Sequence, residues 1–240
     1  SSAASDVYKR QIQMTKKQIG LTMSEVLITL GIIGIVAAMT IPSLINKYRA
    51  IVLAAQFKEQ HSRLAQALKT LVSEEEISLT PSIHKENFSS LLAKHYKISH
   101  DCGRINIGTK GCIQLNTDGI VDHYKTFTGA PVNFGYLDDG MLVLLDGTTL
   151  FFEQGSQAVT LGYYIIGIDI NGYKNKPNRF GHDLFAFKVE EDGQLIPTKN
   201  IKTWNPYGAC NRNNLTDTTN GLGCAFYAIQ DSGYFKNLPK

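Results

Sequence analysis

Glu25 is the side chain whose position most demands a chemical reason. It stands at the head of residues 26–45, among which no side chain is charged. A run of about 20 residues at about 1.5 Å each crosses a hydrocarbon core of about 30 Å. A carboxylate at the mouth of such a run is unfavourable unless it stays among the headgroups or meets a cation. A second set of reactive types lies in residues 169–183. Asp169, Asn171, Asn175, Asn178 and Asp183 supply oxygens of the kind that calcium collects six to eight at a time. The spacing is not that of an EF-hand, since Gly172 falls at the fourth position, and Asn, Asp, Gly and Pro also build ordinary turns. An ordered polar loop is the default reading there and calcium the alternative; no other cofactor is expected. Cys102, Cys112, Cys210 and Cys224 all follow the apolar run, and in an oxidising compartment an even set reads as two disulfides. Of the three pairings, Cys102–Cys112 and Cys210–Cys224 are favoured, because each staples one loop. Zinc would call for C-x-x-C or H-x-x-x-H spacing, which the sequence lacks. It also has no G-x-S-x-G, H-E-x-x-H or Walker loop, and its six histidines are scattered, so no enzyme is expected.

The elements that position these groups follow from periodicity. Beyond Pro42 the apolar pattern turns from continuous to striped: Ala50, Ala54, Phe57, His61, Leu64, Leu68, Leu71 and Val72 recur at spacings of three and four. Lys58, Glu59, Arg63, Gln66 and Lys69 take the opposite face. The simplest reading is one helix over residues 22–73, roughly 75–80 Å long. Its first half would lie in lipid and its second half against a globular head, with a kink or local opening at Pro42. A short helix over 88–96, capped by Asn87, should bury Phe88, Leu91 and Leu92. Strands are expected from Ile105 onward. The clearest signal is a hairpin of 141–145 and 148–152 about Asp146-Gly147. Residues 163–170 make a further strand, and 184–189 with 194–196 a second hairpin about Asp192-Gly193. Tyr163, Tyr164, Phe185 and Phe187 read as sheet core. The tail to Cys224 is rich in turn formers. The fold class is α+β, a long N-terminal helix packed on an antiparallel sheet, in one head of roughly 190 residues.

Gly20, Glu25, Gly31, Gly34 and Pro42 together closely resemble the N-terminus of type IV pilins and the pseudopilins of type II secretion. That family has a short basic leader, a Gly, an apolar residue, Glu at the fifth position after the Gly, and an apolar helix with a Pro near its far end. The match covers about residues 16–45. It implies a leader at 14–20, cleavage after Gly20, N-methylation of Leu21, and a transmembrane assembly helix at 21–45. Residues 46–240 would continue the helix as an amphipathic segment and form the head. Leu21 departs from the usual Phe or Met. The resemblance also implies that Glu25 pairs with the freed amine of a neighbouring subunit, that Pro42 is the family's Pro, and that the head has the pilin arrangement. An ordinary signal anchor would explain the apolar run but not the other positions.

Residues 6–11, Asp-Val-Tyr-Lys-Arg-Gln, back-translate to a transposon end used in sequencing libraries, so 1–13 are read as adaptor and set aside. Without residues 1–20 the formal +3 vanishes, leaving twenty basic and twenty acidic residues. A basic surface for non-specific nucleic-acid binding is therefore not expected. Lys16 and Lys17 before the segment nearly balance Lys47 and Arg49 after it, so orientation rests on the resemblance. By that resemblance the chain is a single-pass protein of a bacterial inner membrane, with its head outside the cytoplasm, assembled into an extracellular or periplasmic filament. Its expected partners are pilin or pseudopilin subunits, a prepilin peptidase and a membrane assembly platform. Two rival readings stay open: a minor pilin binding DNA or another ligand at a filament tip, and a membrane-anchored extracellular enzyme.

Overall fold

A computed structural model describes residues 22–84, 87–105, 111–113, 120–199 and 210–239. The chain divides into two compact units, Ser1–Asn46 and Lys47–Lys240. In chain order the elements are α1 (Met23–Glu75), α2 (Phe88–Ala93), β1 (Ile98–Gly103), β2 (Ile120–Lys125), β3 (Pro131–Asn133), β4 (Gly140–Leu144) and β5 (Thr149–Glu153). There follow α3 (Ser156–Leu161), β6 (Tyr164–Asp169), β7 (Leu184–Val189), β8 (Leu195–Pro197), α4 (Cys224–Gln230) and a 3-10 turn at Tyr234–Asn237.

The 53-residue helix α1 runs on through Pro42, where a kink or local opening was expected, without ending there. Within the second unit its stripe behaves as the spacing requires: Ala50, Phe57, Leu64, Leu68 and Leu71 are buried, whereas Lys58, Glu59, Gln66 and Lys69 are exposed. Gln60 is buried beside them.

Six strands form one antiparallel sheet in the order β1-β4-β5-β6-β7-β8, and β2 pairs with β3 in a second. Both expected hairpins turn on an Asp-Gly pair. The Asp146 carboxylate accepts the Thr148 N–H at 3.0 Å and Asp192 accepts the Gln194 N–H at 2.9 Å. Gly147 and Gly193 supply φ of +93° and +76°, which side chains disfavour.

The sheet is buried on both faces. On one, Leu142, Leu150, Phe152, Tyr164, Ile166, Ile168, Phe185 and Phe187 meet Phe57, Leu64, Leu68 and Leu71 of α1 and Phe88 of α2. The Phe57 ring lies 4.5 Å from Phe185, and Phe88 stacks on Tyr164 at 4.1 Å. On the other, Met141, Val143, Phe151, Ile165, Leu184 and Ala186 lie under Tyr124, Val132, Phe134, Leu137, Phe180 and Leu222. Burial on two sides explains why residues 141–144 read as a continuous apolar run rather than an alternating one.

Several expectations are corrected. The second helix stops at Ala93, three residues short, because Lys94 to Tyr96 close it in turns donating to Leu91, Leu92 and Ala93 carbonyls. Asn87 makes no side-chain cap, and Leu91 is only partly buried. The sheet begins at Ile98 rather than after Ile105, and the tail contributes α4 and the 3-10 turn.

Candidate functional site

The first unit presents a single chemical feature among its described residues, Glu25 at the start of an apolar helix. Gly20 and Leu21 lie outside the described residues. Thr22 and Glu25 cap one another. The Glu25 Oε2 accepts the Thr22 N–H and the Thr22 hydroxyl, each at 2.8 Å, while the Glu25 N–H donates to Thr22 Oγ1 at 3.3 Å. This is a reciprocal capping box, which satisfies donors that a helix start leaves free. Thr22 was not among the expected site residues; Thr-x-x-Glu before an apolar run is the signal that would have found it.

Downstream, the threonine hydroxyls of residues 26–45 bond to the segment's own backbone, as a lipid environment favours. Thr29 donates to the Val26 carbonyl and Thr40 to the Val36 carbonyl, both at 2.9 Å. Pro42 has no N–H, which frees the carbonyl four residues before it. The apolar side chains are uncovered: Leu27, Ile28, Leu30, Ile33, Ile35, Met39 and Leu44 are each at least 60% exposed. A Cβ added to Gly31 or Gly34 would meet nothing within 4 Å. This helix is long and apolar enough to cross a membrane. Leaving seven such side chains in water forgoes roughly 10–20 kcal/mol of burial.

In the second unit the structure brings Asp169 and Asp183 together at the two ends of the polar loop, both fully buried. Asp169 Oδ1 accepts the N–H groups of Asn171 (3.2 Å) and Gly172 (2.8 Å), and its Oδ2 accepts the Tyr124 hydroxyl. Asp183 accepts the N–H groups of Asn178 and Arg179, each at 2.7 Å. The three asparagine amides tie the loop to itself: Asn171 Nδ2 donates to Lys176 O, Asn175 Nδ2 to Asn171 O, and Asn178 Nδ2 to Tyr173 O. The carboxylates are thus engaged by backbone N–H groups and the Tyr124 hydroxyl, while Asn171 Oδ1 and Asn178 Oδ1 are buried without a hydrogen bond. Among the described residues no three His, Cys, Asp or Glu side chains converge as metal ligands. Burial, and then the Asp183 charge, pushes the Asp169 carboxyl well above its ordinary range; burial pushes Asp183 up to about 6. Gly172, at φ +82°, approaches the Gly147 carbonyl so closely that a Cβ would sit 2.0 Å from its oxygen. Beside the loop His182 is buried and touches the Phe127 carbonyl; burial, with Arg179 next, pushes it down to about 4.

A second buried acid pair was not foreseen. Asp139 pairs with Arg104 and accepts the Gln154 and Gly155 N–H groups at 3.1 and 2.7 Å. Glu153, 2% exposed, lies against it, and burial together with that contact pushes Glu153 up to about 8. Glu153 reads as one polar position in a strand, so only the register that buries it reveals the pair.

The four cysteines pair as Cys102–Cys112 and Cys210–Cys224, with Cα atoms 5.8 and 4.9 Å apart. No family model matches the chain, nor does any curated protein or solved structure.

Proposed function

We propose that this chain is a structural subunit of a type IV pilus or a type II secretion pseudopilus. It is cleaved after Gly20, methylated at Leu21, and polymerised through its apolar helix, with no chemistry of its own. The observation that carries the proposal is the uncovered apolar segment with one acid at its head. A helix that leaves so much apolar surface bare needs lipid or other helices around it, and a filament supplies the second once the subunit leaves the first. In that setting Glu25 would find the amine of a neighbouring Leu21, and the low dielectric would strengthen the pair well beyond its strength in water. The partners are then other pilin or pseudopilin subunits, a prepilin peptidase and an inner-membrane assembly platform. The stapled α+β head suits exposure outside the cytoplasm.

The test co-expresses the full chain with a prepilin peptidase and an assembly platform, and compares wild type with Glu25→Ala. Intact-mass analysis of membrane extracts should give Leu21 as the first residue of both. Glu25→Ala should be inserted and cleaved normally, since losing the charge only makes the segment more apolar, yet be depleted from sheared filaments. A different mature N-terminus, or wild-type incorporation of Glu25→Ala, would defeat the proposal.

A further inference from the structure

The head carries a groove of about 580 Å³ between the polar face of α1 and the strap that joins α2 to β1. Arg63, Gln66, Ala67 and Thr70 form one wall, and His95, Tyr96 and Lys97 the other. Leu144, Leu145 and Asp146, at the β4–β5 turn, make the floor. A volume between about 300 and 1,000 Å³ is the ordinary range for small-molecule sites.

Its donors are unevenly engaged. Arg63 Nη1 donates to Gln60 Oε1 at 3.4 Å and to Asp146 Oδ2, and the guanidinium carbon stands 6.0 Å over the Tyr96 ring. Those contacts hold the guanidinium plane, while Nε and Nη2 have no hydrogen-bond partner among the described residues. That remaining edge is the one that grips a carboxylate with two parallel bonds. Lys97 has no ion-pair partner among the described residues, and His95 Nε2 is buried without a hydrogen bond. Asp146 is the single acid lining the groove. Glu74 lies 3.8 Å from His95 Nδ1, and Glu59 acts on Arg63 from along α1. Burial pushes the Tyr96 phenol up to about 12, so that ring stays neutral beneath the cation. Below the donors Leu144 and Leu145 make the apolar part of the floor beside Asp146, with Leu145 66% exposed.

We infer that this groove binds a small organic anion with an apolar body, its carboxylate held by Arg63 and Lys97 and its body laid on Ala67, Leu144 and Leu145. The fork on Arg63 sets the orientation of the carboxylate. Lys97 adds a point charge. The apolar floor selects against a bare inorganic anion, which would leave Leu145 in water. The inference is independent of filament assembly, since every residue in it belongs to the head.

The experiment uses the full chain, isotope-labelled, in the nonionic detergent dodecyl maltoside. Titrants are 3-phenylpropionate, the neutral 3-phenylpropanol and inorganic phosphate, followed by amide and arginine side-chain resonances. The acid should give saturable shifts at Thr70, Tyr96, Lys97 and Leu145 and at the Arg63 Nε–H. Neither the alcohol nor phosphate should saturate below about 10 mM. Lys97→Gln and Arg63→Lys should each weaken the acid by roughly ten-fold, the ordinary strength of one charge-assisted hydrogen bond. Lys174→Gln, on the polar loop, should change nothing. The inference is overturned if the acid does not saturate at these residues, or if the alcohol or phosphate binds as well as the acid. It is equally overturned if Lys174→Gln weakens binding as much as Lys97→Gln.

Discussion

Removing the Cys210–Cys224 bridge should destabilise the head by about 3 kcal/mol, the loop-closure value for a link spanning 14 residues. The Cys102–Cys112 bridge spans 10, and the same relation puts it only a few tenths of a kcal/mol lower. Entropy therefore does not separate the two; what each loop carries does. Cys224 is fully buried and opens α4, whose Ala225 and Ala228 enter the core. The segment continues to Tyr234, whose hydroxyl donates to the Gly181 carbonyl at 2.7 Å, and to Phe235, 5.6 Å from Phe57. Against this, Asn220 already binds the Asn211 N–H (3.0 Å) and the Asn211 and Asn214 carbonyls (2.8 Å each), so part of the loop stays closed without sulfur. The double variant Cys210→Ser, Cys224→Ala should lower the melting temperature by about 6–12 °C for a domain of this size. Limited proteolysis of the full chain in nonionic detergent should then cut first within 210–223, before any cut in the sheet. A shift below about 2 °C, or first cuts near Cys102, would refute the reasoning that this bridge clamps α4 and the 3-10 turn onto the core.

Two further outcomes follow from the buried acids. Asp169→Asn should cost less than about 1 kcal/mol, because the site already favours a neutral side chain, while Asp169→Ala should cost about 2–4 kcal/mol by orphaning the Asn171 and Gly172 N–H groups and the Tyr124 hydroxyl; urea midpoints measure both. The head should melt lower at pH 8 than at pH 6.5. The folded pKa of Glu153, about 8, exceeds its ordinary 4.5, so its contribution is complete below 4.5 and is lost as pH rises through 8. Asp169 acts in the same direction, and His182, depressed to about 4, adds change only below its ordinary 6.5. Glu153→Gln should reduce the difference between the two melts.

What was legible in the sequence was whatever a local period encodes. The stripe from Ala50 to Leu71 gave the buried face of α1, and the Asp-Gly pairs gave both hairpins to within a residue or two. Residues 98–103 were missed because Ser99, His100 and Asp101 are exposed on an edge strand whose register slips twice, so no alternation marks it. The layer over the second face was missed for a different reason. Tyr124 comes from β2 and Phe134, Phe180 and Leu222 from separate segments outside the strands, and no local pattern announces that they will meet. The polar loop shows the same limit. Its oxygens were visible as a set, but whether they face a cation or backbone N–H groups depends on the path between Asp169 and Asp183, which composition does not encode.

Under the proposed assembly Glu25 would serve two demands. In the isolated chain its carboxylate is not bare: Thr22 gives it a backbone and a hydroxyl donor, and it closes the helix start in return. An acid that was only capping its own helix would gain nothing from an apolar run directly behind it, since caps work equally well on polar helices. An acid that only awaited a partner would be poorly placed in the interval before assembly, when lipid surrounds the segment. Under the proposed assembly the capping box would remove that second difficulty, since it keeps the carboxylate hydrogen-bonded before any cation is met. It leaves the carboxylate accessible too, because both Thr22 donors converge on Oε2 and no described residue donates to Oε1. A neighbouring amine could therefore join at Oε1 without first breaking the cap, and register between subunits would be set by an oxygen already fixed in direction.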